Sequence, residues 1–564
     1  MSQRKLKKTP DEFPFEINRH SVALWLQGLP LIDNKETCQL VYSTLRQLNF
    51  LVIAPKVRAE ILEEYRPYVN LLADNLEKHF LGVSFPLEKS RRKLAKLSTQ
   101  FHLELATAYI TILGDAEQKQ TGISNQRYGV LIGWALEALY RSLVHIMLIY
   151  EPPSSRYWKK VFSLYKMAEK LNIQDALHPN EDDKNRCTIE TRLKRILLLW
   201  LANPYRQKQG DIQQIQSLLD QFAHLAVLSN EKPTAPLDSI CTVDLSRGLP
   251  PLHINSRMSN LEDSNLRFLD PQPLGLALLE QSSRKNSEFP LQTSRGLLMR
   301  LIKNFGIPEG RLQPREARDD STEIVIGFSK IIALHQRENK KPEDINPNGT
   351  INWISDPNLD LLPMEKGQFL TPDSSRNRSE GPISQELYAF RRKITPNQIW
   401  ENPSETDKPT RASTISHPCE IGNSSVKGYR IISASNENLE ITVGELTALK
   451  HNGKIVEIGV VRWIQCLEES HVEFGLELLS KSITLAEAWF TGTPPKKKDV
   501  LFLDATADSD HPISVLIPAI RIRSGIPIKL KFKDKIVHFK LVRLLEMTSE
   551  FLHYSLLEHE KTKG

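Results

Sequence analysis

The chain has 564 residues, 40% of them hydrophobic, and 74 Lys and Arg against 68 Asp and Glu give a net charge of +6. That length predicts several domains with sizeable cores, and the mild positive balance suits an anionic ligand while excluding a protein coated for DNA. Five dispersed cysteines (Cys38, Cys187, Cys241, Cys419 and Cys466) form no CxxC pair, which argues against a zinc site or a disulfide framework.

The first residues, "MSQRKLKKTPDEF", are charged and have no apolar region behind them, so a tail over residues 1–36 with no signal peptide is expected. The dense apolar run at 196–202 is far shorter than the ~20 residues a membrane helix needs. A cytoplasmic protein without a membrane span is the expectation. Residues 37–235 read as helix after helix. In "RYGVLIGWALEALYRSLVHIMLIY", Val130, Trp134, Leu136, Leu139, Leu143 and Ile146 recur at helical spacing, with Arg127, Glu137 and Arg141 on the polar side. Pro152 and Pro153 stop that helix. "SRYWKKVFSLYKMAEKL" places Trp158, Val161, Leu164, Tyr165 and Ala168 on one stripe, a spacing similar to tetratricopeptide helix pairs. The pattern does not recur at a fixed period, so an ordinary helical bundle is expected. "RLKRILLLWLANPYR" and "DIQQIQSLLDQFAHLAVLS" extend it.

Residues 236–335 read as connecting helices, "PLGLALLEQ" and "SRGLLMRLIKNF", followed by a β-branched stretch over 323–334 that reads as a long strand or strand pair. Residues 336–410 hold nine of the 34 prolines among many polar residues, a density that predicts a disordered insertion over 336–415. Trp353, Phe369, Phe390 and Trp400 are scattered through it. From Pro418, short strands divided by Gly, Asn and charged turns predict a small antiparallel barrel over 416–492, with "TLAEAWF" as a short covering helix. After the linker "TGTPPKKKD", residues 493–564 read as a second β-rich unit. In it Ile528, Leu530 and Phe532 alternate with Lys529, Lys531 and Lys533, giving one buried and one wet face. The fold class is thus α+β and multidomain, helical first and β-barrel after.

One polar cluster stands out. Asn423, Ser425 and Gly428 in "NSSVKG" fall just ahead of a hydrophobic strand, and "GVVRW" and "FGLELL" follow as later strands. By itself such a triplet is a turn: Asn caps it, Ser bonds nearby backbone, and Gly supplies an unusual dihedral. Upstream, "RLQPREARDD" carries Arg311, Arg315 and Arg318 just before a strand. Together these elements resemble the PilZ domain of bacterial cyclic-di-GMP receptors, which joins an RxxxR element leading into a small barrel to a D/NxSxxG element at a later turn. The resemblance covers residues 311–335 and 416–490, and it requires a barrel split by the 336–415 insertion, since the two elements usually lie closer together. Asn423 stands where Asp is the commoner residue.

The resemblance implies a non-enzymatic receptor that binds cyclic-di-GMP through Arg311, Arg315, Arg318, Asn423, Ser425 and Gly428, with no metal or other cofactor. It leaves the C-terminal unit as a degenerate second barrel. The residue chemistry agrees: guanidinium forks bind phosphate bidentately, stack on purines and reach guanine O6 and N7. In this reading the helical domain meets a protein partner. Two alternatives stand beside it. One is a protein-interaction scaffold whose barrel has lost its ligand. The other is a protein that binds RNA or an acidic partner through the basic strip Lys529, Lys531, Lys533, Lys535, Lys540 and Arg543, although lysines on an edge strand also serve simply to prevent sheet aggregation. No GxxxxGK[ST], GxSxG, HExxH or GxGxxG motif is suitably placed, so an enzyme is not expected.

Overall fold

The computed structural model describes residues 13–30, 34–119, 124–177, 187–233, 239–254, 264–283, 294–306, 315–338, 416–433, 439–451, 454–467, 471–490, 496–504, 512–533 and 535–558. The expected insertion, with its four aromatics, lies outside these residues apart from its first three positions, and so does Arg311. Two units are distinguished, one within Met1–Leu81 and Leu87–Gly310, the other formed by Gly82–Pro86 and the barrel-forming residues from 315 onward.

Among the described residues of the first unit, eight α-helices come before any strand: α1 (Arg19–Gln27), α2 (Asn34–Leu48), α3 (Pro55–Glu77), α4 (Lys89–Lys119), α5 (Asn125–Leu148), α6 (Ser155–Lys170), α7 (Ile189–Leu201) and α8 (Gln209–Phe222). Several begin on a side-chain cap: Ser124, Ser154 and Thr188 each accept a hydrogen bond from the backbone N–H three residues on. The α6 stripe Trp158, Val161, Leu164, Tyr165 and Ala168 is buried throughout. Helix α5 is long and apolar enough to cross a membrane, but 83% of its most apolar window is buried inside the unit, as suits a core helix. On its polar side Arg127 is exposed, but Glu137 is largely buried. Glu137 accepts from the guanidiniums of Arg192 and Arg195 at 2.7 Å each. Burial pushes the Glu137 carboxyl up, but Arg195, Arg192 and Arg141 outweigh it and hold the group at about 2.

A four-stranded sheet follows, with β1 (Val227–Ser229), β2 (Cys241–Asp244), β3 (Leu252–His253) and β4 (Leu266–Asp270) in the order β1-β4-β2-β3. Sequence reading finds only helices here, because strands this short show too few alternations to be recognised. Helices α9 (Gln272–Ser283) and α10 (Arg295–Phe305) follow in the same unit.

The second unit holds two closed antiparallel barrels. The first comprises β5 (Glu316–Ile326), β6 (His417–Ser425), β7 (Gly428–Ser433), β8 (Leu446–His451), β9 (Lys454–Cys466) and β10 (Val472–Ser480), ordered β10-β7-β6-β5-β8-β9 and closed by the β9–β10 pairing. Its first strand is therefore separated in sequence from the other five. Between β5 and β6 comes α11 (Phe328–Glu338). The long strand expected over 323–334 stops at Ile326, where Gly327 takes φ +99°. Beyond it Phe328, Ile331 and Ile332 bury one helical stripe.

The second barrel comprises β11 (Ile483–Phe490), β12 (Lys496–Leu503), β13 (Ser514–Pro518), β14 (Pro527–Phe532), β15 (Lys535–Met547) and β16 (Phe551–Glu558), ordered β11-β12-β13-β16-β15-β14 with β14 returning to β11. "TLAEAWF" is thus strand β11 rather than a helix: Ala486, Ala488 and Phe490 point into the barrel, and Glu487 and Trp489 alternate with them. A shared apolar core joins the two barrels. It packs Val325, Phe328, Ile331, Leu446 and Leu479 against Leu501, Leu516 and Phe551. At the same junction the Arg462 guanidinium on β9 binds Glu477 on β10 and, bidentately, Glu546 on β15.

Candidate functional site

The polar cluster forms part of the first barrel wall. Strand β6 pairs with β5 through Ala317↔Asn423 and Glu316↔Ser424, and with β7 through Asn423↔Arg430 and Ser425↔Gly428. Asn423 and Ser425 are therefore strand residues, and the turn proper is only Val426 and Lys427. Registers slip between Ala317 and Asp320 and between Ile421 and Asn423. Such bulges bend a strand and re-aim its side chains, here at the position where Arg318 enters β5.

Each residue of the triplet has a distinct task. Asn423 Oδ1 accepts from Arg315 Nη1 at 3.4 Å. Ser425 Oγ donates to the Gly428 carbonyl at 3.3 Å, closing the hairpin. Gly428 sits where β7 meets β10, and a Cβ there would lie 2.0 Å from the Leu476 carbonyl oxygen, so no other residue fits without moving backbone. Arg315 and Arg318 are both exposed, and Arg318 lies 3.6 Å from the Asp320 carboxylate. Nearby, the Tyr429 phenol is raised above its ordinary value, first by burial and then by a hydrogen bond with Glu457, against the opposing influence of Arg318.

The structure thus brings Arg315 to Asn423, with Ser425 and Gly428 on the same hairpin and Arg318 three residues along from Arg315. It also adds residues that sequence reading passed over. Directly opposed residues in antiparallel strands share a face. The register therefore sets Ala317, Asn423, Arg430, Gly475 and Trp463 in one row across β5, β6, β7, β10 and β9. This row is on the outside, because Ile431 and Ile464, the next residues along from Arg430 and Trp463, are fully buried. Arg430 is neutralised by Glu473 through bonds of 3.0 and 2.5 Å. The Trp463 indole covers Gly475 so closely that a Cβ there would meet its Nε1 at 1.8 Å. Only the strand register, which depends on a partner more than a hundred residues away, makes this row visible.

Chemically the site offers hydrogen-bond donors for an anion: the Arg315 guanidinium, the Asn423 amide and the nearby Lys427 and Arg318. Among the described residues it holds no nucleophile beside a base. A Ser–His–Glu chain does occur in the helical unit, where Ser98 Oγ lies 3.0 Å from His145 Nδ1 and His145 Nε2 lies 3.0 Å from Glu77. Ser98 is fully buried there and donates to the Ala73 carbonyl, so the chain ties helices together with no access for a substrate. No group of three or more metal-ligating side chains occurs among the described residues.

Comparison with known proteins bears on both units. Residues 20–234 match the family model described as cyclic-di-GMP receptor FimW, N-terminal domain. Residues 240–484 match the one described as cyclic-di-GMP receptor FimW, middle PilZ domain. Together the two models take in well over half of the chain, and all but the first two residues of the second barrel lie beyond them. The chain is also similar to the cyclic-di-GMP receptor FimW of Pseudomonas aeruginosa, with 23% identity over 568 residues, covering 94% of this chain and 89% of that protein. No solved structure matches it.

Proposed function

Because the chain belongs to the PilZ-domain cyclic-di-GMP receptor family, we propose that it binds cyclic-di-GMP on the outer wall of its first barrel, at the mouth formed by Arg315, Arg318, Asn423, Ser425 and Gly428. Arg311, four residues before Arg315, joins them in this reading. The observation that carries it is the Arg315–Asn423 hydrogen bond, which sets the arginine element beside the Asn–Ser–Gly element although 108 positions separate the two residues. Guanidiniums suit the ligand because it carries two phosphodiesters and two guanines, and a planar fork serves both. Asn423 adds a neutral donor, and Gly428 keeps the hairpin close to β10. The receptor works by binding alone, without catalysis or a metal.

The helical unit carries the contact with a protein partner, and the protein acts in the cytoplasm of a bacterium. Calorimetric titration of the full chain with cyclic-di-GMP, GMP and the linear dinucleotide tests the ligand assignment. Binding of the cyclic dinucleotide alone is the expected result. No heat and no thermal shift with it at high concentration would end the proposal.

A further inference from the structure

The lysines of the second barrel have no edge to protect. Strand β14 is hydrogen-bonded to β11 on one side and to β15 on the other, so the barrel is closed where Lys529 and Lys531 stand. Lysines on an edge strand discourage sheet-to-sheet pairing, and that explanation fails for a strand already paired on both sides. Something else must account for a basic face here.

The register shows what surrounds these cations. One outer row runs Lys497, Trp489, Lys529, His538 across β12, β11, β14 and β15, and the next runs Asp499, Glu487, Lys531, Ile536. A third row places Pro527, Lys540 and Leu557 side by side on β14, β15 and β16. The acids among them have other partners: Glu487 pairs with Lys497 of the first row at 2.5 Å, and Asp499 accepts from Gln336 at 3.0 Å. Lys529, Lys531 and Lys540 form no ion pair among the described residues. Beside them large aliphatic side chains stand in water, Ile536 at 56% and Leu557 at 62% exposure, with Val542 also exposed on β15.

Unpaired cations interleaved with exposed aliphatics mark an interaction surface. We propose that the β14–β15–β16 face of the second barrel docks an acidic protein segment whose Asp or Glu side chains meet Lys529, Lys531 and Lys540 while its own apolar side chains cover Ile536 and Leu557. Charge complementarity selects the acidic partner, and the aliphatics supply the contact that lysines alone do not. A single-stranded nucleic acid fits less well. Its bases need aromatic faces, the exposed apolar side chains here are aliphatic, and the nearby Trp489 ring already has the Lys497 ammonium 5.8 Å from its centroid. A lipid bilayer also fits less well, because these residues spread over three strands of a barrel flank instead of clustering at a projecting loop. The proposal is independent of nucleotide binding at the first barrel.

The test uses the full chain and a fluorescent amphipathic peptide of about 16 residues, with leucines on one face and glutamates on the other. A peptide with lysine for glutamate, a polyuridylate and phosphatidylglycerol vesicles are run beside it. The glutamate peptide is expected to bind, to weaken as salt rises, and to lose about tenfold or more in affinity in Lys529→Glu/Lys531→Glu. A comparable loss is expected in Ile536→Ser/Leu557→Ser, and Lys540→Glu repeats the charge test should either double variant have an altered thermal unfolding midpoint. Failure of the glutamate peptide to bind, or equal binding by the wild type and these variants, overturns the proposal. So does binding of polyuridylate or vesicles through the same residues in place of the peptide.

Discussion

Replacing Glu445 with Gln should change how the stability of the barrel unit depends on pH. Glu445 immediately precedes β8 and accepts from the Thr442 N–H at 2.7 Å and the Thr442 hydroxyl at 3.1 Å. Burial pushes its carboxyl up to about 7, and the like charge of Glu550 on the second barrel adds to the shift, against the hydrogen bonds from Thr442 and the charge of Lys330. The folded group holds its proton more tightly than the unfolded one, whose value is the ordinary 4.5. Between those values the native state carries more bound protons, so stability falls as pH rises through this window, and the penalty is complete above about 7. The full shift corresponds to about 3 kcal/mol, and residual solvent contact brings the expected effect to about half of that. Gln keeps an oxygen for Thr442 and cannot ionise. Denaturant unfolding of the full chain at pH 5 to 8, followed by a barrel-specific fluorescence probe, should therefore show a falling limb in the wild type and a flat one in Glu445→Gln. The variant should be the more stable protein at pH 8. Parallel profiles, or a variant less stable at pH 8, would refute the reasoning.

Three further outcomes are expected. Arg315→Ala removes charge-assisted donors worth about 1.5–3 kcal/mol each and should weaken cyclic-di-GMP binding about tenfold or more, whereas Ser425→Ala removes one neutral bond of about 0.5–1.5 kcal/mol and should cost less; calorimetry of both variants checks the ranking. Gly428→Ala forces a Cβ toward the Leu476 carbonyl, so the hairpin must shift from β10, with a loss of about 2–4 kcal/mol and of ligand binding together, read by thermal unfolding and titration. Glu137→Ala leaves Arg192 and Arg195 buried without their shared carboxylate and should cost about 3–5 kcal/mol, read by circular dichroism of the helical signal.

Local pattern determined much of this protein. The α6 stripe of Trp158, Val161, Leu164, Tyr165 and Ala168 was legible because one helical face faces one core, and the spacing of five apolar residues records that. The alternation of Ile528 and Leu530 with Lys529 and Lys531 announced a half-buried strand for the same reason. Asn423, Ser425 and Gly428 could be singled out by spacing, and Arg315 by its place before a strand. What those residues do for one another was decided by the tertiary structure. Residues 323–334 read as β because Ile324, Val325, Ile331 and Ile332 are β-branched, yet Gly327 turns the chain and the shared core of the two barrels accepts Ile331 and Ile332 on a helix. "TLAEAWF" scores as a helix by propensity and becomes β11 because β12 and β14 offer it hydrogen bonds on both sides. Glu137 looks like a solvated residue until α7 brings Arg192 and Arg195 over it. Barrel closure removed the edge that would have explained the lysines, and strand register set Arg430 and Trp463 in line with Asn423. A sequence records what each residue needs from its own element. Which distant residue meets that need follows from pairing and packing, whose partners lie far along the chain and leave no periodic trace in it.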